Sequence, residues 1–171
     1  MQKQAKQLAL AGILIAIGLT LPIVFHSFNV GPIFLPMHLP ILLGGFILSP
    51  FFALLVGAIT PLMSSFITSM PILFPTAIKM TFELATYGYL ISYLYHKRHA
   101  PLFLSLIGGM LGGRIVAGLV NYVLLSNFLN KAFSLKVFLT ASFVTSLPGI
   151  ILQLLLIPIL VRIIERKSTA I

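Results

Sequence analysis

From Leu8 onward the chain is a series of long apolar runs separated by short clusters of proline, glycine and polar residues. Crossing ~30 Å of hydrocarbon takes ~20 helical residues. Cutting at the clusters predicts helices over 5–25, 37–48, 51–65, 76–95, 102–125 and 135–164. The second and third are short and bounded or interrupted by Pro36, Pro40, Pro50 and Pro61. They are expected to be tilted, broken, or shielded by neighbours that satisfy the freed backbone groups. The first run follows Lys3 and Lys6, as a secretory signal would. It is longer than a signal core and has no clear small-residue cleavage site, so it reads as a transmembrane helix.

Composition narrows the class. Of 171 residues, 59% are apolar and 8% charged, with a mean hydropathy of +1.13, which excludes a water-soluble core. The expected fold is an all-α integral membrane protein, a six-transmembrane-helix bundle with a substrate cavity open to the extracellular side. Residues 1–171 read as a single membrane domain. There is no cysteine, hence no disulfide framework or thiolate chemistry.

Eleven basic residues against two acidic ones give a formal charge of +9, and most of that excess flanks apolar runs. Cytoplasmic loops retain Lys and Arg. With six spans and both termini inside, the inner set is Lys3, Lys6, Lys97, Arg98, Arg162, Arg166 and Lys167, against Lys131 and Lys136 outside. The imbalance supports the six-span count.

Ala5, Ala9, Gly12 and Ala16 form a strip of small side chains along one face of the first helix. Such strips let helices approach closely in lipid, either within the bundle or against another subunit. "IGGMLGGR" has the same two readings. Gly108 and Gly113 have the spacing of a phosphate-binding loop, but Arg114 and Ile115 stand where that motif needs Lys and Ser or Thr, so nucleotide binding is excluded.

The informative residues are the ionisable ones inside apolar runs. At ~1.5 Å per residue, Glu83 lies ~21 Å above the loop at Lys97, and Arg114 lies ~24 Å up the next helix. A charge at that depth costs at least ~2.5 to 3.5 kcal/mol, so both should face the bundle interior or a wet cavity. Lys79, Glu83, Thr86 and Tyr87 follow helical spacing, as do Arg114, Gly118 and Asn121. Together they are expected to line one pocket opening outward, with His38 and Gln153 as further lining candidates. The competing reading is a salt bridge between Glu83 and Arg114 that only holds two helices.

Other chemistry lacks its residues. His26, His38, His96 and His99 are scattered rather than metal-spaced, so no metal site is expected. One buried acid without a paired carboxylate, a zinc-type motif or an activated nucleophile gives no basis for catalysis.

The stretch "FLPMHLPILLGGFILSPFFALLVGAITPLMSSFITSMPILFPTAIKMTFELATYGYL", with the six-span plan and the small-residue strip, resembles the substrate-binding S components of energy-coupling factor (ECF) vitamin transporters. The resemblance implies a bacterial cell-membrane protein that binds a water-soluble vitamin in an outward-facing cavity and needs no cofactor of its own. It implies association with a transmembrane coupling subunit and two ATPase subunits, docked through Ala5, Ala9, Gly12 and Ala16, and no nucleic-acid partner. "FHSFNVGPIFLP", with His26, Phe28, Gly31 and Phe34, would act as a lid over the cavity. A lone carboxylate beside Tyr87 and Tyr89 suits a hydroxymethylpyrimidine or pyridoxine type of ligand. Lys79 and Arg114 would equally clamp the carboxylate of pantothenate or niacin. The reading from another class is a structural or regulatory membrane subunit without ligand.

Overall fold

The computed structural model describes residues 2–27, 31–130 and 132–168; Phe28, Lys131 and the side chains of His26 and Lys167 lie outside the described residues. Every regular element among them is helical: α1 (Gln2–Ser27), α2 (Gly31–Phe34), α3 (His38–Ile47), α4 (Pro50–Thr68), α5 (Ile78–Ser92), α6 (Leu102–Val123), α7 (Leu135–Leu139) and α8 (Leu147–Ser168). Wider π turns extend α5 at both ends (Leu73–Ala77 and Tyr93–Lys97), α6 at its end (Leu124–Phe128) and α7 at its end (Thr140–Thr145). The stretches Gln2–Phe25, Pro50–Thr68, Leu102–Phe128 and Leu147–Arg166 are long and apolar enough to cross a membrane. Their outer faces carry exposed Leu8, Ile13, Phe66, Ile115, Leu119 and Leu155, the surface of a bundle whose solvent is lipid.

Helix α5 is the centre of the packing, lying against α4, α6 and α3. Its approach to α4 depends on two glycines. A Cβ on Gly57 would fall on the backbone of Leu84, and a Cβ on Gly88 would fall on the carbonyl of Ala53. The two backbones are therefore in direct contact, as small residues permit in lipid.

Helix α3 has ten residues, a length of ~15 Å that is too short to cross a bilayer alone. It packs against α1, α4, α5 and α8, and buries His38, Pro40, Ile41, Leu42, Gly44, Gly45 and Phe46. The chain leaves it through Leu48, whose buried carbonyl accepts a hydrogen bond from Ser92 Oγ at 2.7 Å. The short second run is thus enclosed by protein, the last of the three outcomes its prolines left open.

The sequence pattern over 135–164 predicts one helix, and the structure corrects this to two. The break falls at Ser146, whose carbonyl begins α8 by accepting the Ile150 amide at 2.9 Å. Ser146 Oγ turns back to the Ser142 carbonyl at 2.6 Å. Pro148 has no N–H to continue the preceding turn. At Gly149 a Cβ would stand 2.6 Å from the Ile33 carbonyl oxygen, so the bare backbone is what seats α2 on the first turn of α8.

Lys3 and Lys6 line one cavity with Ile164 and Glu165, so the start of α1 and the end of α8 lie at the same end of the bundle. The Tyr93–Lys97 turn and the end of α3 reach that end too.

Candidate functional site

Glu83, in the middle of α5, is 1% exposed. Arg114 Nη1 on α6 donates to its Oε1 at 2.7 Å. The Tyr87 hydroxyl, one turn along α5, donates to the same oxygen at 3.0 Å. His38, at the start of α3, brings Nε2 to 3.8 Å from that oxygen, within ion-pair range but beyond a hydrogen bond. The His38 and Tyr87 rings lie 5.6 Å apart, centroid to centroid. Three helices thus bring one carboxylate, one guanidinium, one phenol and one imidazole together.

Local sequence explains the convergence. Glu83 and Tyr87 are four residues apart and so lie one above the other on α5. Gly113, just before Arg114, has no side chain where a Cβ would overlap the Tyr87 ring. Glycines 109 and 112 likewise face Ile91 and Leu90 of α5. Of the two readings of "IGGMLGGR", the structure selects packing against α5.

The cluster is unevenly satisfied. Both hydrogen bonds to Glu83 fall on Oε1, and among the described residues Oε2 accepts none. Among the described residues, neither ring nitrogen of His38 has a hydrogen-bond partner, and neither amide atom of Gln153 does. Gln153, on α8, is fully buried. An unpaired buried polar group costs roughly 1–3 kcal/mol, which bound water or a polar ligand can recover.

Arg114 also forms part of two cavities. One, of about 410 Å³, lies between α6 and the α7 segment, walled by Gly118, Tyr122, Phe133, Phe138 and Phe143. The other, of about 100 Å³, lies beside Met110, Phe143, Ile150 and Leu154. The larger volume is within the ~300–1,000 Å³ typical of small-molecule sites. Its aromatic wall at Phe133, Phe138 and Phe143 was not anticipated. These residues recur every five positions ahead of the break at Ser146, a period that matches neither helical nor strand spacing.

The remaining expected lining residues divide. Lys79 is half-buried and has no ion pair among the described residues. Asn121 is half-buried, two turns beyond Arg114, and lines neither of Arg114's cavities. Thr86 departs from the expected common face. Its hydroxyl donates to the Phe82 carbonyl at 2.7 Å, and it borders a groove between α4 and α5. Tyr89 is 40% exposed and stacks on Tyr93, away from the cluster.

Of the expected lid, His26's side chain and Phe28 lie outside the described residues. Gly31 is buried, and the Phe34 ring stands 5.9 Å from that of Phe25. Ala5, Ala9, Gly12 and Ala16 are all exposed, while α1 buries Ala11 and Leu14 instead. A Cβ on Gly12 would meet nothing within 4 Å. Among the described residues the small-residue strip faces outward, not into the core.

A bundle of apolar helices that shields one polar constellation beside an open groove belongs to the multi-pass membrane proteins. Over residues 6–161 the chain matches the family model of the ECF transporter, substrate-specific component, and it belongs to that family. Comparisons with curated proteins and with solved structures give no match.

Proposed function

We propose that this S component binds a small, flat B-vitamin or precursor of the hydroxymethylpyrimidine or pyridoxine type and delivers it through an ATP-driven module. One observation carries the choice of ligand: among the described residues, buried His38 and Gln153 lack hydrogen-bond partners while Glu83 is held from one side only. The unpaired atoms include both donors and acceptors, the complement of a heteroaromatic ring carrying amino or hydroxyl groups. Because Arg114 already neutralises Glu83, a neutral polar ligand meets no competition. The carboxylate of pantothenate or niacin would have to draw Arg114 away from Glu83. Lys79, without an ion pair among the described residues, is the observation on that second side.

In this reading the single membrane unit makes six passes in a bacterial membrane, with α2–α3 and α7–α8 each serving as one pass. Both termini are cytoplasmic, where Lys97, Arg98, Arg162 and Arg166 also lie. The exposed strip of α1 docks on the coupling subunit, and the two ATPases supply the energy.

Mass spectrometry of small molecules released from the purified protein, followed by titration, tests the ligand. Saturable one-to-one binding of hydroxymethylpyrimidine or pyridoxine, not displaced by niacin or pantothenate, is expected. Absence of saturable binding by any of the four overturns the proposal. Replacing Ala9 or Ala16 with phenylalanine should abolish uptake in cells while leaving ligand binding unchanged. Loss of both would assign the strip to folding.

A further inference from the structure

Where α1 begins and α8 ends, a cavity of about 580 Å³ opens between α1, α3, α8 and the Tyr93–Lys97 turn. Its wall is apolar, formed by Leu10, Phe46, Val161 and Ile164, and its rim carries Lys3, Lys6, His96 and Glu165. None of these belongs to the Glu83 cluster. The rim is held in place: Gln7 Oε1 accepts the Ser49 amide at 2.8 Å, and the Tyr95 hydroxyl donates to Glu165. The Tyr95 ring stands edge-on to Phe46 at 5.0 Å. Glu165 is thereby tethered, whereas Lys3 and Lys6 have no ion pair among the described residues.

A second, independent feature bears on the height of this cavity in a bilayer. Tyr89 and Tyr93 stack at 6.0 Å with their planes 11° apart. Arg98 Nε donates to the Tyr93 hydroxyl at 3.2 Å, and its guanidinium lies 5.5 Å from that ring. Tyrosines and basic side chains collect at the headgroup level of a membrane. The turn that carries Tyr93 also carries Tyr95 and His96, so the cavity opens at the same level.

We propose that this cavity binds an anionic phospholipid whose headgroup bears hydroxyl groups. Lys3 and Lys6 hold the phosphate as point charges, the headgroup hydroxyls donate to Glu165, and the glycerol and first acyl carbons cover Leu10 and Ile164. The apolar wall decides between sources of phosphate. A hydrated inorganic ion gains nothing from it, whereas a lipid buries hydrocarbon there.

The test is native mass spectrometry of the full chain titrated with phosphatidylglycerol in neutral detergent. One phosphatidylglycerol should be retained per chain, with no retention of phosphatidylcholine. Lys3→Gln combined with Lys6→Gln should weaken retention about tenfold or more, since each basic group near the membrane surface contributes ~1 kcal/mol. Ile164→Trp, which fills the apolar wall without touching charge, should weaken it too. Arg162→Gln, exposed and outside the cavity, should leave it unchanged, and circular dichroism confirms that each variant is folded. Equal retention by the double lysine variant, or equal retention of phosphatidylcholine, overturns the proposal. Displacement by inorganic phosphate would reduce the site to an anion site and overturn it as well. So would lipid retention that survives the lysine changes while association with the coupling subunit is lost, because the surface would then be a protein interface.

Discussion

Glu83→Ala should destabilise the protein by about 3–5 kcal/mol, because it strands the Arg114 guanidinium in a buried site without its partner. Arg114 is 8% exposed, so little water reaches it in compensation. Thermal unfolding in detergent measures the loss. The informative companion is Glu83→Gln with Arg114→Met, which removes both charges while preserving volume. A buried ion pair replaced by uncharged groups of similar size is often neutral or stabilising. The double variant is therefore expected to melt near the parent temperature and yet to have lost binding of the proposed ligand. Should it melt near the parent temperature and bind normally, the cluster would be a helix clamp and the ligand site would lie elsewhere.

Gly57→Ala and Gly88→Ala should each cost about 3 kcal/mol, the upper part of the usual range for overpacking. At both positions the added carbon meets backbone, not the tip of a flexible side chain. Relief requires α4 and α5 to separate along their length. Gly12→Ala provides the contrast, since its Cβ enters open space. It should leave the unfolding midpoint unchanged or slightly raise it, because alanine favours helix by ~1 kcal/mol over glycine. A uniform response at all three positions would contradict the packing described.

Much of the site was legible in the sequence because depth in a membrane is nearly one-dimensional. Counting residues from the Lys97–Arg98 loop placed Glu83 and Arg114 at similar heights, and the structure joins them at 2.7 Å. Rotation about a helix axis was less legible. Thr86 lies within the same turn as Glu83 and Tyr87, yet it faces the α4 groove. Interrupted hydrophobicity was harder still. Residues 135–164 are mostly apolar with serines and threonines scattered among them, and Ser146 and Pro148 do not stand out as a break that depends on where α2 sits. Exposure of the α1 strip could not be decided from spacing, since small residues serve internal and external contacts alike.

The enclosure of α3 has a consequence for how the protein meets different membranes. Hydrophobic mismatch acts on helices that touch acyl chains, tilting them when the bilayer thins. Helix α3 is sheathed by its neighbours and offers the acyl chains little purchase. His38 is thereby insulated from bilayer thickness, and the geometry around Glu83 should persist across lipids of different chain length while the outer helices adjust their inclination.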